Sequence, residues 1–450
     1  MKTDRARSLW RHADFMKLWT GQTISQIGTQ ITFLALPLTA ILILKATPFQ
    51  VGLLGTLEFL PFILVGLPAG VWVDRLRRRR ILIAGDLGRV IALGSIPIAY
   101  ELGMLHIVQL YVVAFVTGVL TVFFDVAYQS YLPSLVDRDQ IVDGNAKLEI
   151  SRSGGQLAGP GLAGVLIQAL TAPVAILVDA ISYLGSALFV FLIRKKEAPV
   201  RWHGPDGAKR RMRSEIWEGL RYVLGNKLLR PIAACTATSN FFSNLGTVVV
   251  LIFAVRQLGM SPGAVGLALA LGNIGFLLAA FIAPRVARRL GIGRTIVGSA
   301  VLFGFAWFPA ALMTRETAFL SLLTGMFIGG FGGTIYNVNQ VSLRQSITAH
   351  RMQGRMNATM RFMVWGTIPI GTFVGGILGS TIGLRPTLWV AAVGSLLAFI
   401  PPLLSPVRTL ERIPEMPSEE PTVAESMAAG DGLVEPGGVP HAIAETRSLD

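Results

Sequence analysis

The feature that most constrains this chain is a succession of apolar runs, each near the length of a bilayer crossing, separated by short polar stretches. A helix rises 1.5 Å per residue, so about 20 apolar residues span the hydrocarbon core. Twelve runs can be traced, near 18–44, 51–74, 81–100, 106–128, 145–169, 173–193, 229–255, 262–286, 293–313, 317–340, 356–381 and 384–404. They are too long and too continuously apolar for barrel strands, and lipid offers no partner for a free backbone N–H or C=O, so each is expected to be helical. The expectation is an all-α membrane protein of twelve transmembrane helices. The first run exceeds a signal-peptide core and precedes no convincing A-x-A site, so it reads as a retained anchor.

Composition agrees. Hydrophobic residues make up 52% of the 450, charged residues 15%, and the mean hydropathy is +0.58, too apolar for a soluble surface. The net charge of +14 raises nucleic acid as a partner. The placement of the charge argues against it, because the bases sit in short clusters between apolar runs. With the N-terminus in the cytoplasm, the outer loops hold only Lys45, Arg256, Arg315 and Arg385 of the 40 lysines and arginines. That split satisfies the positive-inside rule and predicts both termini inside, in a cell inner (plasma) membrane.

The polar stretch from Arg194 to Arg230 carries eleven bases and divides the runs six and six. The expected organisation is an N-terminal segment 1–17, a six-helix bundle 18–193, a cytoplasmic linker 194–228, a second bundle 229–404 and a disordered tail 405–450. Within the linker Ile216, Trp217, Leu220, Val223 and Leu224 recur at helical spacing, with Glu215, Glu218 and Arg221 opposite. This is either a helix lying along the membrane surface or an ordinary solvated stretch.

Six plus six runs suggest a duplicated half, and matching features lie about 210 residues apart. The loop after the second run holds Gly70, Asp74, Arg75 and Arg77 to Arg80; its counterpart holds Arg285, Arg288, Arg289 and Gly291, without the aspartate. Gly144, Asn145 and Ala146 likewise match Gly354, Asn357 and Ala358. On these residues the chain resembles the major facilitator superfamily, whose signature loop is G-x-x-x-D-R-x-G-R-[RK]. Arg77 stands at the second glycine, so the turn is expected to be built differently. Tyr131, Pro133 and Val136, then Gly144 to Ala146, Gly159, Pro160, Gly161 and Gly164, resemble the branch of macrolide, multidrug and enterobactin exporters. The resemblance implies two six-helix pseudo-repeats, export of small amphipathic compounds, and a gate in which Asp74 meets Arg355 or Arg361. Asp125 is expected to receive Arg78 or Arg79 in the same gate, a latch of charge-assisted hydrogen bonds that closes the cytoplasmic end when the cavity faces outward. Plain positive-inside anchoring would explain the arginines but not the two acids.

Polar residues within spans usually turn toward the bundle interior. Gln22, Gln26 and Gln30 recur every four residues in the first run, and Asn240 and Asn244 do so in the seventh. Asn337, Asn339 and Gln340 form a third set. These amides either line a central cavity or tie neighbouring helices together. Glu58 lies about seven residues below the outer surface, roughly 10 Å at helical rise, and is the first candidate for proton coupling. Asp179 lies at similar depth and is either a second candidate or a hydrogen-bonded interfacial residue. Asp86 and Arg89, one turn apart, read as an internal ion pair. Gly155, Gly159 and Gly164 with Pro160, and Gly366, Gly371, Gly375, Gly376 and Gly379 with Pro369, suit close helix approach and local bending.

No G-x-x-x-x-G-K-[ST] sequence occurs, and the five histidines show no metal spacing. Cys235 is the only cysteine, so neither a disulfide nor a cysteine metal site is expected. No cofactor, metal, nucleic-acid partner or enzymatic activity is expected. The expected partners are a small-molecule substrate, protons and the bilayer, with the chain a monomer. The leading expectation is a secondary exporter; an importer or uncoupled facilitator, or a membrane receptor or scaffold, are the alternatives.

Overall fold

A computed structural model describes residues 9–73, 75–195, 197 and 212–412, and every regular element among them is helical. In chain order these are α1 (Ala13–Leu38), α2 (Pro48–Leu64), α3 (Gly66–Val73), α4 (Arg78–Glu101), α5 (Ile107–Leu135), α6 (Ile141–Leu170) and α7 (Ala172–Phe191). Then follow α8 (Met212–Gly225), α9 (Leu229–Ile252), α10 (Pro262–Gly272), α11 (Ile274–Leu290), α12 (Ile292–Gly304), α13 (Phe308–Leu312), α14 (Ala318–Ser346), α15 (His350–Thr381), α16 (Leu384–Leu397) and α17 (Ile400–Leu403). Among the described residues ten helical stretches are long and apolar enough to cross a membrane. Two of the expected spans fall outside that set. The apolar α2 has 17 residues and passes through Val65 into α3. The 30-residue α6 carries Asp143, Lys147, Glu149 and Arg152 in its first half.

Local geometry repeats along the chain. α1 ends in a π-helical turn at Thr39–Ile43 and α9 in another at Phe253–Gln257, 214 residues later. Beyond each turn a matching backbone bond follows, Ala46 N–H to the Ala40 carbonyl (2.8 Å) and Met260 N–H to the Ala254 carbonyl (2.9 Å). The next helix then starts on a hydroxyl cap followed by proline: Thr47 accepts from the Gln50 amide before Pro48, and Ser261 from the Ala264 amide before Pro262. Such a start satisfies an orphan N–H and loses nothing at the proline. The signature loop also shows its counterpart. Gly291 opens α12 with φ +82°, whereas Arg77 opens α4 from φ −68° and ψ 116°, an extended conformation open to any side chain.

The packing of the apolar side chains divides the molecule along its length. At the end bearing Lys45, Arg256 and Arg385 one continuous core joins both halves, including Leu38, Leu54 and Ile167 with Val249, Ile252 and Val265. At the opposite end, which carries the arginine-rich turns, the cores are separate. One gathers Leu9, Phe15, Tyr131 and Val190 of the first half, the other Leu229, Ile296, Leu343 and Met356 of the second. These are called the far end and the basic end below. At the far end α2 crosses α15 and α6 crosses α10, with Gly52 against Gly376 and Gly164 against Gly266. The molecule is therefore sealed at the far end and parted at the basic end.

The linker contains a helix, α8, that packs on α15 with Val223 buried and Trp217 exposed. Its Glu218 pairs with Arg355 at 2.7 Å. Residues 405–412, expected to be part of a disordered tail, are packed on the second half. Pro406–Thr409 form a 3-10 turn with Val407 fully buried, and the Leu410 carbonyl accepts from Gly293 N–H at 2.8 Å. Asp74, residues 198–211 of the linker and the tail from 413 lie outside the described residues.

Candidate functional site

Parting two helical halves at one end leaves a cavity of about 1020 Å³ between them. α1, α2 and α6 form one wall; α9, α10, α11, α12 and α14 form the other, with Thr372 of α15 at the seam. Most of the lining is apolar and aromatic, including Phe33, Phe59, Phe276, Phe303 and Trp307. A small polar set is spread across it, as expected where orientation rather than bulk attraction has to be encoded.

Of the amides named from sequence, Gln30, Asn240, Asn244, Asn337 and Gln340 line this cavity. The Asn240 side-chain NH₂ donates to the Thr236 carbonyl (2.9 Å) and that of Asn244 to the Asn240 carbonyl (2.8 Å). One N–H of each amide is thus turned back on α9, which leaves its second N–H as a donor and its Oδ1 as an acceptor. Gln340 donates to Asn337 Oδ1 at 3.0 Å, and Thr236 shares a 2.9 Å bond with the Tyr336 hydroxyl. Three of the expected amides are elsewhere. Gln22 is buried, with its Nε2 unpartnered among the described residues, and Gln26 packs beside Gly155 of α6. A four-residue step advances 400°, so a stripe of three drifts about 80° and only Gln30 reaches the opening. Asn339, two residues from Asn337, points the other way and donates to the Ile335 carbonyl at 2.8 Å.

Glu58 sits on the wall. It is on α2, two residues beyond Thr56, whose hydroxyl bonds the Pro369 carbonyl (3.2 Å) and Thr372 Oγ1 (3.1 Å) across the seal. Asp179 does not reach the cavity. It is fully buried where α1 and α7 cross at Gly28, accepting from Thr32 Oγ1 (2.5 Å) and Ser182 Oγ (3.0 Å). The interfacial alternative is the geometry found. Close by, Arg89 donates to Asp86 Oδ1 at 2.6 Å and lies over the rings of Tyr183 (4.1 Å) and Phe124 (4.3 Å). Asp86, Arg89 and Asp179 thus form one buried node inside the first half, which the separate spacings did not connect.

The family model described as "Transmembrane secretion effector", of the major facilitator class, matches residues 6–436. The chain belongs to this family. It is accordingly a multi-pass membrane transporter rather than an enzyme. This transporter is 25% identical to the multidrug efflux pump Tap of Mycolicibacterium fortuitum, over 82% of this chain and 90% of Tap. It is 22% identical to the macrolide efflux protein A of Streptococcus pyogenes, over 88% and 97% of the two chains. The fold is similar to a bacterial homologue of the iron transporter ferroportin in its inward-facing state. The TM-score is 0.70 at 16% identity, covering 88% of this chain and 99% of that one.

With the basic end parted, the transporter's signature-loop arginines are held by other groups. Arg79 donates to the Val190 carbonyl (3.2 Å) and the Phe191 carbonyl, at the C-terminal end of α7, rather than to Asp125. The Arg78 and Arg79 backbone amides donate to the Glu197 carboxylate at 3.2 and 3.3 Å. The physical reason is local: the first amides of α4 and the last carbonyls of α7 lack helical partners, and these groups supply them. Asp125 is exposed, and the cations acting on it are Arg89, Arg361 and Arg152. Gly70 and Arg75 lie at the open basic end; a Cβ on Gly70 would meet nothing within 4 Å.

Proposed function

We propose that this transporter is a proton-coupled exporter of small amphipathic compounds, working by alternating access between two six-helix pseudo-repeats. In this reading α2 with α3 and the long α6 complete a set of twelve spans, the basic end is cytoplasmic, the membrane is the plasma membrane, and the chain acts alone. The observation that carries it is the cavity itself: about 1020 Å³, apolar with scattered amides, lying between the halves and holding Glu58 just inside the sealed end. Such a space suits a lipophilic molecule of drug size. The similar efflux proteins support the outward direction.

Closing the basic end while the far end opens would move Glu58 from one aqueous side to the other. A carboxylate that changes sides can carry a proton inward as substrate leaves, which couples efflux to the gradient. Asp74 with Arg355 or Arg361 is the proposed latch of the closed basic end. Arg355 is held by Glu218 of α8 in the present arrangement, and Arg361 faces the field of Asp125.

The test is transport in inside-out membrane vesicles energised by respiration. Accumulation of an amphipathic fluorescent dye that collapses on adding a protonophore supports proton-driven efflux. Equilibrating uptake that continues after the protonophore identifies an uncoupled facilitator, and no uptake at all overturns the reading.

A further inference from the structure

At the basic end a second opening lies outside the central cavity, an open groove of about 520 Å³ between the start of α9 and the end of α17. Lys227, Arg230, Ala234, Pro401, Leu404 and Ser405 line it, and no acid does. Neither base has a side-chain hydrogen bond or ion pair with a described residue. Other bases at this end are committed: Arg79 and Lys195 donate to backbone carbonyls, and Arg355 to Glu218. The helix start beside the groove is satisfied as well. The Leu228 and Leu229 amides donate to Asn226 Oδ1 at 2.8 and 3.1 Å, and Pro231 has no N–H. The unmatched groups are therefore the two cationic side chains. The opposite wall is fixed, because Ser405 donates to the Pro402 carbonyl (2.9 Å) and accepts from the Val407 amide (3.2 Å), and Val407 is fully buried.

An apolar track leads into this groove. Val390, Val393, Leu397, Ile400 and Leu404 follow one another at steps of three and four, so they share one face through α16 and α17. All five are exposed, Leu404 at 77%. On a spanning helix such a face meets acyl chains. Lys227 and Arg230 stand at the start of the apolar run of α9, the depth at which headgroups lie. Hydrocarbon track and then paired cations is the order of groups along a phospholipid, and each base beside an anionic headgroup adds affinity. A soluble phosphate compound would gain nothing from Leu404 and Pro401, and a zwitterionic lipid would bring its own ammonium toward the two cations.

We infer that the groove between α9 and α17 holds the headgroup of an anionic phospholipid, with Lys227 and Arg230 on its phosphate and an acyl chain along Leu404, Ile400 and Leu397. The lipid bridges the end of the linker to the last span, and so fastens the second half at the end where the two halves part. This site is separate from the central cavity and independent of the compound the transporter carries.

The experiment is native mass spectrometry of the full chain released from detergent, titrated with phosphatidylglycerol and with phosphatidylcholine of the same acyl chains. Phosphatidylglycerol should fill one saturable site about tenfold or more tighter than phosphatidylcholine, as two bases beside one phosphate provide. Raising the ammonium acetate concentration should weaken phosphatidylglycerol binding to the wild type and leave phosphatidylcholine binding unchanged. Lys227→Gln with Arg230→Gln should abolish the preference. Arg138→Gln with Arg351→Gln, which removes two exposed bases elsewhere at this end, should keep it. Size-exclusion elution of each variant establishes that it is folded. Equal affinity for the two lipids, an undiminished preference in the Lys227 and Arg230 double variant, or displacement of phosphatidylglycerol by millimolar inorganic phosphate overturns the inference. So does a full chain that takes no phosphatidylglycerol, the outcome if its own acid-rich residues beyond 412 fill the groove.

Discussion

Gly52 of α2 and Gly376 of α15 cross backbone to backbone: a Cβ on Gly52 would lie 2.6 Å from the Gly376 Cα. Gly164 and Gly266 cross in the same way between α6 and α10, where a Cβ on Gly164 would come 2.8 Å from the Gly266 Cα. The two crossings lie at matching spacings along the chain, since Gly52 and Gly266 are 214 residues apart and Gly164 and Gly376 are 212 apart. Small residues allow this approach because nothing stands between the helices, so the far end closes as two matched seams.

Gly52→Val and Gly266→Val should each wedge one seam. Forcing a branched side chain into a packed crossing costs about 1–3 kcal/mol, which is enough to shift a two-state equilibrium roughly tenfold toward a far-end-open form. In a Cys235→Ser background, a reporter cysteine at the cavity residue Leu251 should label faster with an impermeant maleimide added from the far side. Unchanged labelling would remove the seams from the gate.

Arg256 ties the far ends of α9 and α1 together. Its guanidinium donates to the Ile41 carbonyl at 2.5 and 3.2 Å and to the Ala46 carbonyl at 2.7 Å. A π-turn displaces carbonyls from the regular ladder, and Thr39–Ile43 supplies one of them. Arg256→Gln should lose at least two charge-assisted bonds, about 1.5–3 kcal/mol each before relaxation. The same Leu251 reporter should then gain far-side accessibility.

Two residues occupy backbone conformations that glycine takes in the other half. Thr171, between α6 and α7, has φ +100°, where Gly383 has +93°; Lys45 has +50°, where Gly259 has +74°. A left-handed conformation costs a residue with a Cβ about 1–3 kcal/mol, and less at Lys45 than at Thr171. Thr171→Gly should raise the midpoint of thermal unfolding by roughly 1–3 °C, and Lys45→Gly by less. A lower midpoint for Thr171→Gly would show that its side chain contributes more than the strain it carries.

The buried node makes the opposite prediction. Asp86→Asn leaves Arg89, only 4% exposed, without its carboxylate at 2.6 Å. Breaking a buried pair from one side costs about 3–5 kcal/mol, so the variant should unfold at clearly lower temperature. Replacing both, Asp86→Asn with Arg89→Met, should recover part of the loss. If the single variant is as stable as wild type, the pair is not what holds α4 in the first half.

The legible part of the site was what depends on one helix at a time. Glu58 could be placed at membrane depth by counting residues, and Asn240 with Asn244 on one face by their four-residue spacing. Gln22, Gln26 and Asn339 show the limit: periodicity places residues on a face, but only a neighbour's position says whether that face meets a cavity or another helix. Gln26 faces Gly155 because α6 packs there. Arg79 is similar. Its partners, the Val190 and Phe191 carbonyls, are backbone atoms over a hundred residues away, and no side-chain pattern announces them.

Length and polarity along the chain determined that these segments are membrane helices, since a backbone in lipid must satisfy itself within each crossing and the cost is local to that segment. The tertiary structure alone decided which end is sealed and which carboxylate faces the opening. Those outcomes depend on the relative placement of two halves, set by glycine crossings such as Gly52 with Gly376 and by bonds such as Arg256 to Ile41, between residues more than 200 positions apart.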